Sequence, residues 1–296
     1  MRVTIQERRI EGPHGEIPLR IYSPGGPSTG TTEGLGLVWL HGGGFAAGDL
    51  DMPENDWVAR QLAQRGVRVV TVDYRLVPMP QAVSSLWTGE PPQADRTRPN
   101  HFPVASEEVT AAWVWAVNHD TARTWALGGA SAGANLAAGA ALRLRDRGGP
   151  APRALLLVYP VVHAELPPLS AELRAKAEAL PEEAVFGPET VRAMNLNYVE
   201  DPAQLDQPYA FPGGHELSGL PPTLVLNSDH DTLRASGEQF GAELAAAGVD
   251  VTVIREPGAR HGHLNTPDEP EAQRSITRIG DWLTSPTLLG RAHERN

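Results

Sequence analysis

The chain has no cysteine, which excludes disulfides, thiolate metal sites and a cysteine nucleophile. It has a single lysine, Lys176, so no other position can supply a catalytic lysine, and the basic residues are otherwise Arg. Long apolar runs are missing as well. None approaches the roughly 20 residues needed to span a bilayer. The N-terminal Met-Arg-Val-Thr-Ile-Gln-Glu-Arg-Arg lacks the apolar stretch and small-residue cleavage site of a secretory signal. A cytoplasmic location is the resulting expectation. Basic clusters are also wanting. The formal net charge is −11 with the acids scattered, which disfavours nucleic acid as a partner because phosphate binding needs grouped positive charge.

What is present is an alternation of short β-branched runs with helical patterns, which points to an α/β sheet. Candidate strands are Val3–Ile10, Ile17–Tyr22, Leu37–Leu40, Val67–Asp73, Thr124–Gly128, Ala154–Tyr159, Thr223–Asn227 and Val251–Arg255. The first two flank a Gly-Pro-His-Gly turn and read as a hairpin. The central strands are apolar almost throughout, as expected when helices cover both faces. Crossover helices are expected at Trp57–Arg65, Ser106–Asn118, Ala132–Arg145 and Arg234–Ala247. With right-handed crossovers the sheet is parallel after the hairpin. Two segments break this rhythm. Residues 78–103 are rich in Pro, Gln, Asp and Arg without a period. Residues 161–220 carry helical stretches near Leu169–Ala179 and Pro188–Glu200, where a lid over a site would grow.

The strongest local signal is Gly129-Ala130-Ser131-Ala132-Gly133, a G-x-S-x-G element between a strand and an Ala/Leu-rich helix. A nucleophile on so sharp a turn needs neighbours two residues away without side chains, and the helix start turns its N–H groups toward developing negative charge. A tight turn with Ser131 as a helix cap is the alternative reading of this element alone. His41-Gly42-Gly43-Gly44 follows a strand directly. Three glycines free backbone N–H groups to meet an oxyanion, whereas a flexible turn or a phosphate loop are the rival readings. The phosphate loop is disfavoured because no Gly-Lys-Ser/Thr follows. His41 itself suits anchoring the loop better than acting as a base. Past the penultimate strand lie Asp229 and Asp231, and past the last one His261 and His263. Acid and base thus follow the serine in the order Ser, Asp, His, with either Asp and either His open at this point.

These motifs resemble those of hormone-sensitive-lipase-like esterases of the α/β-hydrolase superfamily, over about residues 8 to 284. The family's H-G-G-G reads as His41-Gly42-Gly43-Gly44, and its D-Y-R-L-A-P as Asp73-Tyr74-Arg75-Leu76-Val77-Pro78. Its G-D-S-A-G-G-N-L reads as Gly129-Ala130-Ser131-Ala132-Gly133-Ala134-Asn135-Leu136. Its D-P-L-R-D-E-G reads as Asp231-Thr232-Leu233-Arg234-Ala235-Ser236-Gly237, and its H-G-F as His261-Gly262-His263. The resemblance implies an eight-stranded, mostly parallel sheet flanked by helices. It implies catalytic Ser131, Asp231 (not Asp229) and His261 (not His263), with an oxyanion hole from the N–H groups of Gly43, Gly44 and Ala132. It implies no metal or organic cofactor.

The chain departs from the family in several places. Ala130 stands where Asp usually precedes the nucleophile, and His263 stands where Phe is usual; His263 is expected to cap a loop rather than reach substrate. Only 40 residues precede His41, which implies a reduced helical cap. The 78–103 insertion, with Trp87, is expected to replace part of it near the site entrance, an exposed disordered loop being the alternative. The organisation expected is a single α/β-hydrolase domain over residues 1–296, with a cap insertion at 161–220. The expected function is hydrolysis of short-to-medium acyl esters through an acyl-enzyme. An amidase or lactonase using the same triad, or a receptor-like ligand-binding protein on this scaffold, are the rivals. The partner is a small-molecule ester. Relatives often pair through the last strand, but the sequence does not decide between monomer and homodimer.

Overall fold

The computed structural model describes residues 2–25, 34–79, 100–121, 123–181, 184–285 and 288. Eight strands form one sheet: β1 (Arg2–Gly12), β2 (Gly15–Gly25), β3 (Leu35–Leu40), β4 (Arg68–Val72), β5 (Thr124–Ala130), β6 (Leu155–Val158), β7 (Thr223–His230) and β8 (Val251–Arg260). Their spatial order is β1-β2-β4-β3-β5-β6-β7-β8. The β1–β2 hairpin and the β2–β4 pairing are antiparallel, and the remaining pairs are parallel. The eight expected strands are therefore all present. Strands β3 and β6 are buried along their whole length because helices cover both faces.

Seven helices accompany the sheet among the described residues: α1 (Pro53–Gln64), α2 (Val104–His119), α3 (Ala132–Asp146), α4 (Ala171–Glu178), α5 (Pro188–Val199), α6 (Arg234–Ala246) and α7 (Pro270–Leu283). Helix α1 starts four residues before the expected Trp57, because Pro53 presets φ at the first helical position. Glu54 consequently belongs to the first turn, where it and Asn55 are buried. Helix α7 is not one of the expected helices. Its Ala272, Ser275, Ile276, Ile279 and Leu283 recur at helical spacing and are all buried against the sheet.

Strand β8 runs five residues beyond the expected Arg255, through Pro257 and Gly258. An edge strand tolerates that proline, and the pairing with β7 shifts register between Ser228 and His230. The extension carries the chain to His261 at the same end of the sheet as Ser131. Helices α4 and α5 lie in the excursion between β6 and β7, where helical stretches were expected. Of the 78–103 insertion, residues 80–99, Trp87 included, lie outside the described residues. No helix among the described residues is long and apolar enough to cross a membrane.

Candidate active site

Ser131 sits between β5 and α3 with φ 53 and ψ −118, a left-handed conformation that a residue with a Cβ rarely adopts. The turn is possible because its flanks are glycines. A Cβ at Gly129 would lie 2.5 Å from the Gly133 backbone, and one at Gly133 would lie 2.3 Å from the Leu40 carbonyl oxygen. Ser131 N–H donates to the Val158 carbonyl at 2.9 Å, which fixes the elbow to β6. The Ser131 side chain makes no capping hydrogen bond to α3. It is instead 3.0 Å from His261 Nε2.

His261 Nδ1 lies 2.7 Å from Asp231 Oδ2. With a carboxylate as acceptor there, the ring proton belongs on Nδ1 and Nε2 is left to accept from the Ser131 hydroxyl. Burial pushes the imidazolium down, but the charge and hydrogen bond of Asp231, with a further contribution from the Glu54 charge, outweigh it. The net effect is a His261 pKa above the ordinary 6.5. Asp231 is buried, and its other oxygen accepts the Leu233 N–H at 2.9 Å. The same carboxylate therefore orders the entry to α6 and holds the imidazole. Asp229 is engaged elsewhere, with Lys176 (2.6 Å) and Arg234 (2.7 Å).

The glycine loop faces the elbow. Gly43 and Gly44 have φ of 111 and 60, and a Cβ at Gly43 would fall 2.1 Å from the Ala47 carbonyl oxygen. Ala132 opens α3, so its N–H has no intrahelical acceptor. Among the described residues, no group accepts a hydrogen bond from the N–H of Gly43, Gly44 or Ala132. His41 is fully buried, stacked on Tyr74 at 4.3 Å, with Nδ1 donating to the Gly42 carbonyl at 2.7 Å. Tyr74 O–H donates to the His41 carbonyl at 2.7 Å. Burial lowers the His41 pKa to about 4, so it is a neutral anchor of the loop.

His263 points away from Ser131. Its ring is bonded to Ser228 Oγ at 3.0 Å and to Ser275 Oγ of α7 at 2.8 Å, and burial lowers its pKa to about 4. Ala130, also buried, contributes only a methyl group to the apolar layer that contains Tyr159. Three polar residues that no sequence motif marks adjoin the site. Glu54, Tyr159 and Asn265 meet behind the glycine loop across 105 and 211 residues of chain. Above it, Met194 of α5 stands over Gly44, its Sδ 3.0 Å from where a Cβ there would lie. Phe186 is edge-on to His261 at 4.8 Å, and it shares an apolar cluster with Met194, Val161, Val191 and Leu233. A hydroxyl, an imidazole and a carboxylate in this relay, beside free N–H groups, can transfer an acyl group through a serine ester.

Residues 37–87 and 96–265 match the model of a family described as alpha/beta hydrolase fold. Esterase LipI of Mycobacterium tuberculosis is 34% identical over 281 residues, 92% of this chain and 78% of the relative. Carboxylic ester hydrolase LipN of the same organism is 33% identical over 90% of this chain, which spans only 65% of LipN. An ethyl acetate hydrolase of Pseudomonas putida is 30% identical over 84% of this chain and 71% of its own length. Among solved structures, an esterase of Pyrobaculum calidifontis is similar with a TM-score of 0.77 at 30% identity, covering 96% of this chain and 86% of that one. The chain belongs to the hormone-sensitive-lipase-like esterases of the α/β-hydrolase superfamily.

Proposed function

We propose that this chain is a serine carboxylesterase in which Ser131 is the nucleophile, His261 the general base and Asp231 its orienting acid. The observation that carries the reading is the unbroken relay from Asp231 through His261 to the strained Ser131. As Ser131 Oγ bonds to the ester carbonyl carbon, its proton passes to His261 Nε2. The N–H groups of Gly43, Gly44 and Ala132 receive the oxyanion, each contributing ~3 kcal/mol to the transition state. Collapse expels the alcohol, which takes its proton from His261. A water activated by the same nitrogen then releases the acid and restores Ser131.

The substrate class proposed is short-to-medium acyl esters. The apolar wall of Met194 and Phe186 close to the loop and the base supports it, by limiting depth on that side. In this reading the 161–220 excursion acts as a cap on a single hydrolase domain, and the protein works in the cytoplasm. The assembly proposed is a homodimer across the open edge at β8, testable by light scattering.

The test is turnover of p-nitrophenyl acetate, butyrate and laurate by the wild type and by Ser131→Ala. The expected outcome is activity greatest on the two short esters and a loss in kcat of at least about 1,000-fold in the variant. If both proteins were equally inactive on a broad ester panel while a small molecule still bound, the ligand-binding reading would replace this one. Preference for amides or lactones in the same panel would replace only the substrate class.

A further inference from the structure

Glu54 is buried at 2% exposure in the first turn of α1, with no cation bonded to it among the described residues. Three donors converge on its carboxylate. Gly42 N–H reaches Oε1 at 2.5 Å, Tyr159 O–H reaches Oε2 at 2.6 Å, and Asn265 Nδ2 reaches Oε2 at 3.2 Å. Gly42 N–H and the Asn265 amide nitrogen can only donate here, and the Tyr159 hydroxyl can do so as well, a set of partners suited to an ionised acid. Each donor belongs to a different part of the site. Gly42 precedes the two glycines facing the elbow, and Asn265 follows His261 by four residues. Tyr159 directly follows β6 at φ 36 and sets its ring edge-on to His261 at 5.0 Å.

Burying a carboxylate this deeply is costly, and a neutral side chain could pack in the same turn. Burial is the largest influence and leaves the Glu54 pKa above its ordinary value, although the Tyr159, Gly42 and Asn265 donors and the His261 charge work against it. Ala130 brings no polar group to the elbow at the position where the family motif has Asp. We infer that Glu54 is a positioning residue of the esterase site: it fixes the oxyanion loop through Gly42 and supplies a fixed negative charge that stabilises His261 as the imidazolium. The inference rests on the proposed roles of Ser131 and His261. It adds a second carboxylate, reached from α1, to the one on Asp231.

The groups facing His261 bear on the test. Asp231 acts on it from the β7–α6 connection, Tyr159 from just past β6, Glu54 from α1 and His263 from the turn after β8. Asp231 and Glu54 both raise the His261 pKa, whereas Tyr159 is held well above its ordinary pKa, by burial and then by the Glu54 charge, and stays a neutral donor. His263 is neutral above about pH 4. The acid limb of kcat/KM against pH therefore reports on Asp231 and Glu54 together.

Two variants separate charge from shape. Glu54→Gln keeps the shape and an acceptor for Gly42 N–H but removes the charge. Its acid limb is expected at lower pH than in the wild type. Glu54→Asp keeps the charge but shortens the reach, so its limb is expected where the wild type has it. In both, kcat is expected to fall at least about fivefold with KM within about threefold, because the loss falls on the transition state. An unmoved limb in Glu54→Gln overturns the inference, even if kcat and thermal stability both drop, since that is the signature of a packing role. If Glu54→Gln does not fold, Glu54→Asp decides alone: kcat within twofold of wild type overturns the inference. Ser131→Ala in the same assay separates the two failures, because full activity there would overturn the catalytic reading rather than the role of Glu54.

Discussion

At the scale of single residues, the site depends on backbone that few side chains could occupy. Ser131 holds a positive φ with a side chain attached, and the surrounding hydrogen bonds of β6 and α3 must keep it there. Gly43→Ala places a methyl group on the Ala47 carbonyl, so the loop must move; we expect kcat to fall with little change in circular dichroism of the sheet. His263 illustrates the opposite case, a catalytic-looking residue that serves packing. In His263→Phe, two buried hydroxyls, Ser228 and Ser275, lose their partner, which costs ~1–3 kcal/mol at pH 7. The pH dependence has the reverse sign. The folded His263 pKa of about 4 is depressed below the ordinary 6.5, so its stabilising contribution is complete above 6.5 and is lost as pH falls toward 4. That loss amounts to about 3 kcal/mol over the window and is absent from the Phe variant. Urea unfolding at pH 7 and pH 5 should therefore show the gap between the two proteins narrowing at pH 5; a constant gap would contradict the buried neutral imidazole. Ser131, Asp231 and His261 are legible in the sequence because glycine spacing and the order of strand ends mark them. Glu54, Tyr159 and Asn265 are not, because each is an ordinary polar residue until α1, β6 and the turn after β8 bring them together.

At the scale of elements, the strands are more legible than the helices. A strand of this sheet is a short apolar run that both flanking layers require, so its sequence is distinctive. Helix α7 carries an equally regular stripe behind Pro270, yet it holds no site motif, and only the sheet face it covers gives the stripe its meaning. Truncating that stripe with Ile279→Ala should cost ~2–5 kcal/mol and leave the kcat of the remaining folded enzyme within about twofold. Helix α4 is attached differently. Its Glu172 and Lys176, the single lysine, pair with Arg234 and Asp229 beside the acid loop, and Arg234 and then Lys176 hold the Glu172 pKa down to about 2. Helix α5 brings Met194 over Gly44. Met194→Ala removes that apolar cover and is expected to shift kcat/KM toward longer acyl chains by about tenfold, read from the ratio of laurate to butyrate turnover. An unchanged ratio would remove Met194 from the acyl side of the site.

At the scale of the whole molecule, the sheet works as a frame that delivers loops to one end. Ser131, Asp231 and His261 follow β5, β7 and β8 at their C-terminal ends, and the glycine loop leaves β3 there too. The parallel order β3-β5-β6-β7-β8 fixes their spacing before any side chain is considered. The order could be inferred from the alternation of elements, whereas the extension of β8 past Pro257 could not, since it depends on having only one neighbour strand. In the chemistry proposed, an acyl group passes through Ser131. Mixing the enzyme with p-nitrophenyl butyrate, quenching in acid within the first turnover and digesting the protein locates that group by mass spectrometry. The expected result is one butyryl group on the peptide containing Ser131 and none on the same peptide from Ser131→Ala; a butyryl group on another residue, or steady hydrolysis with Ser131 never acylated, would overturn the serine mechanism.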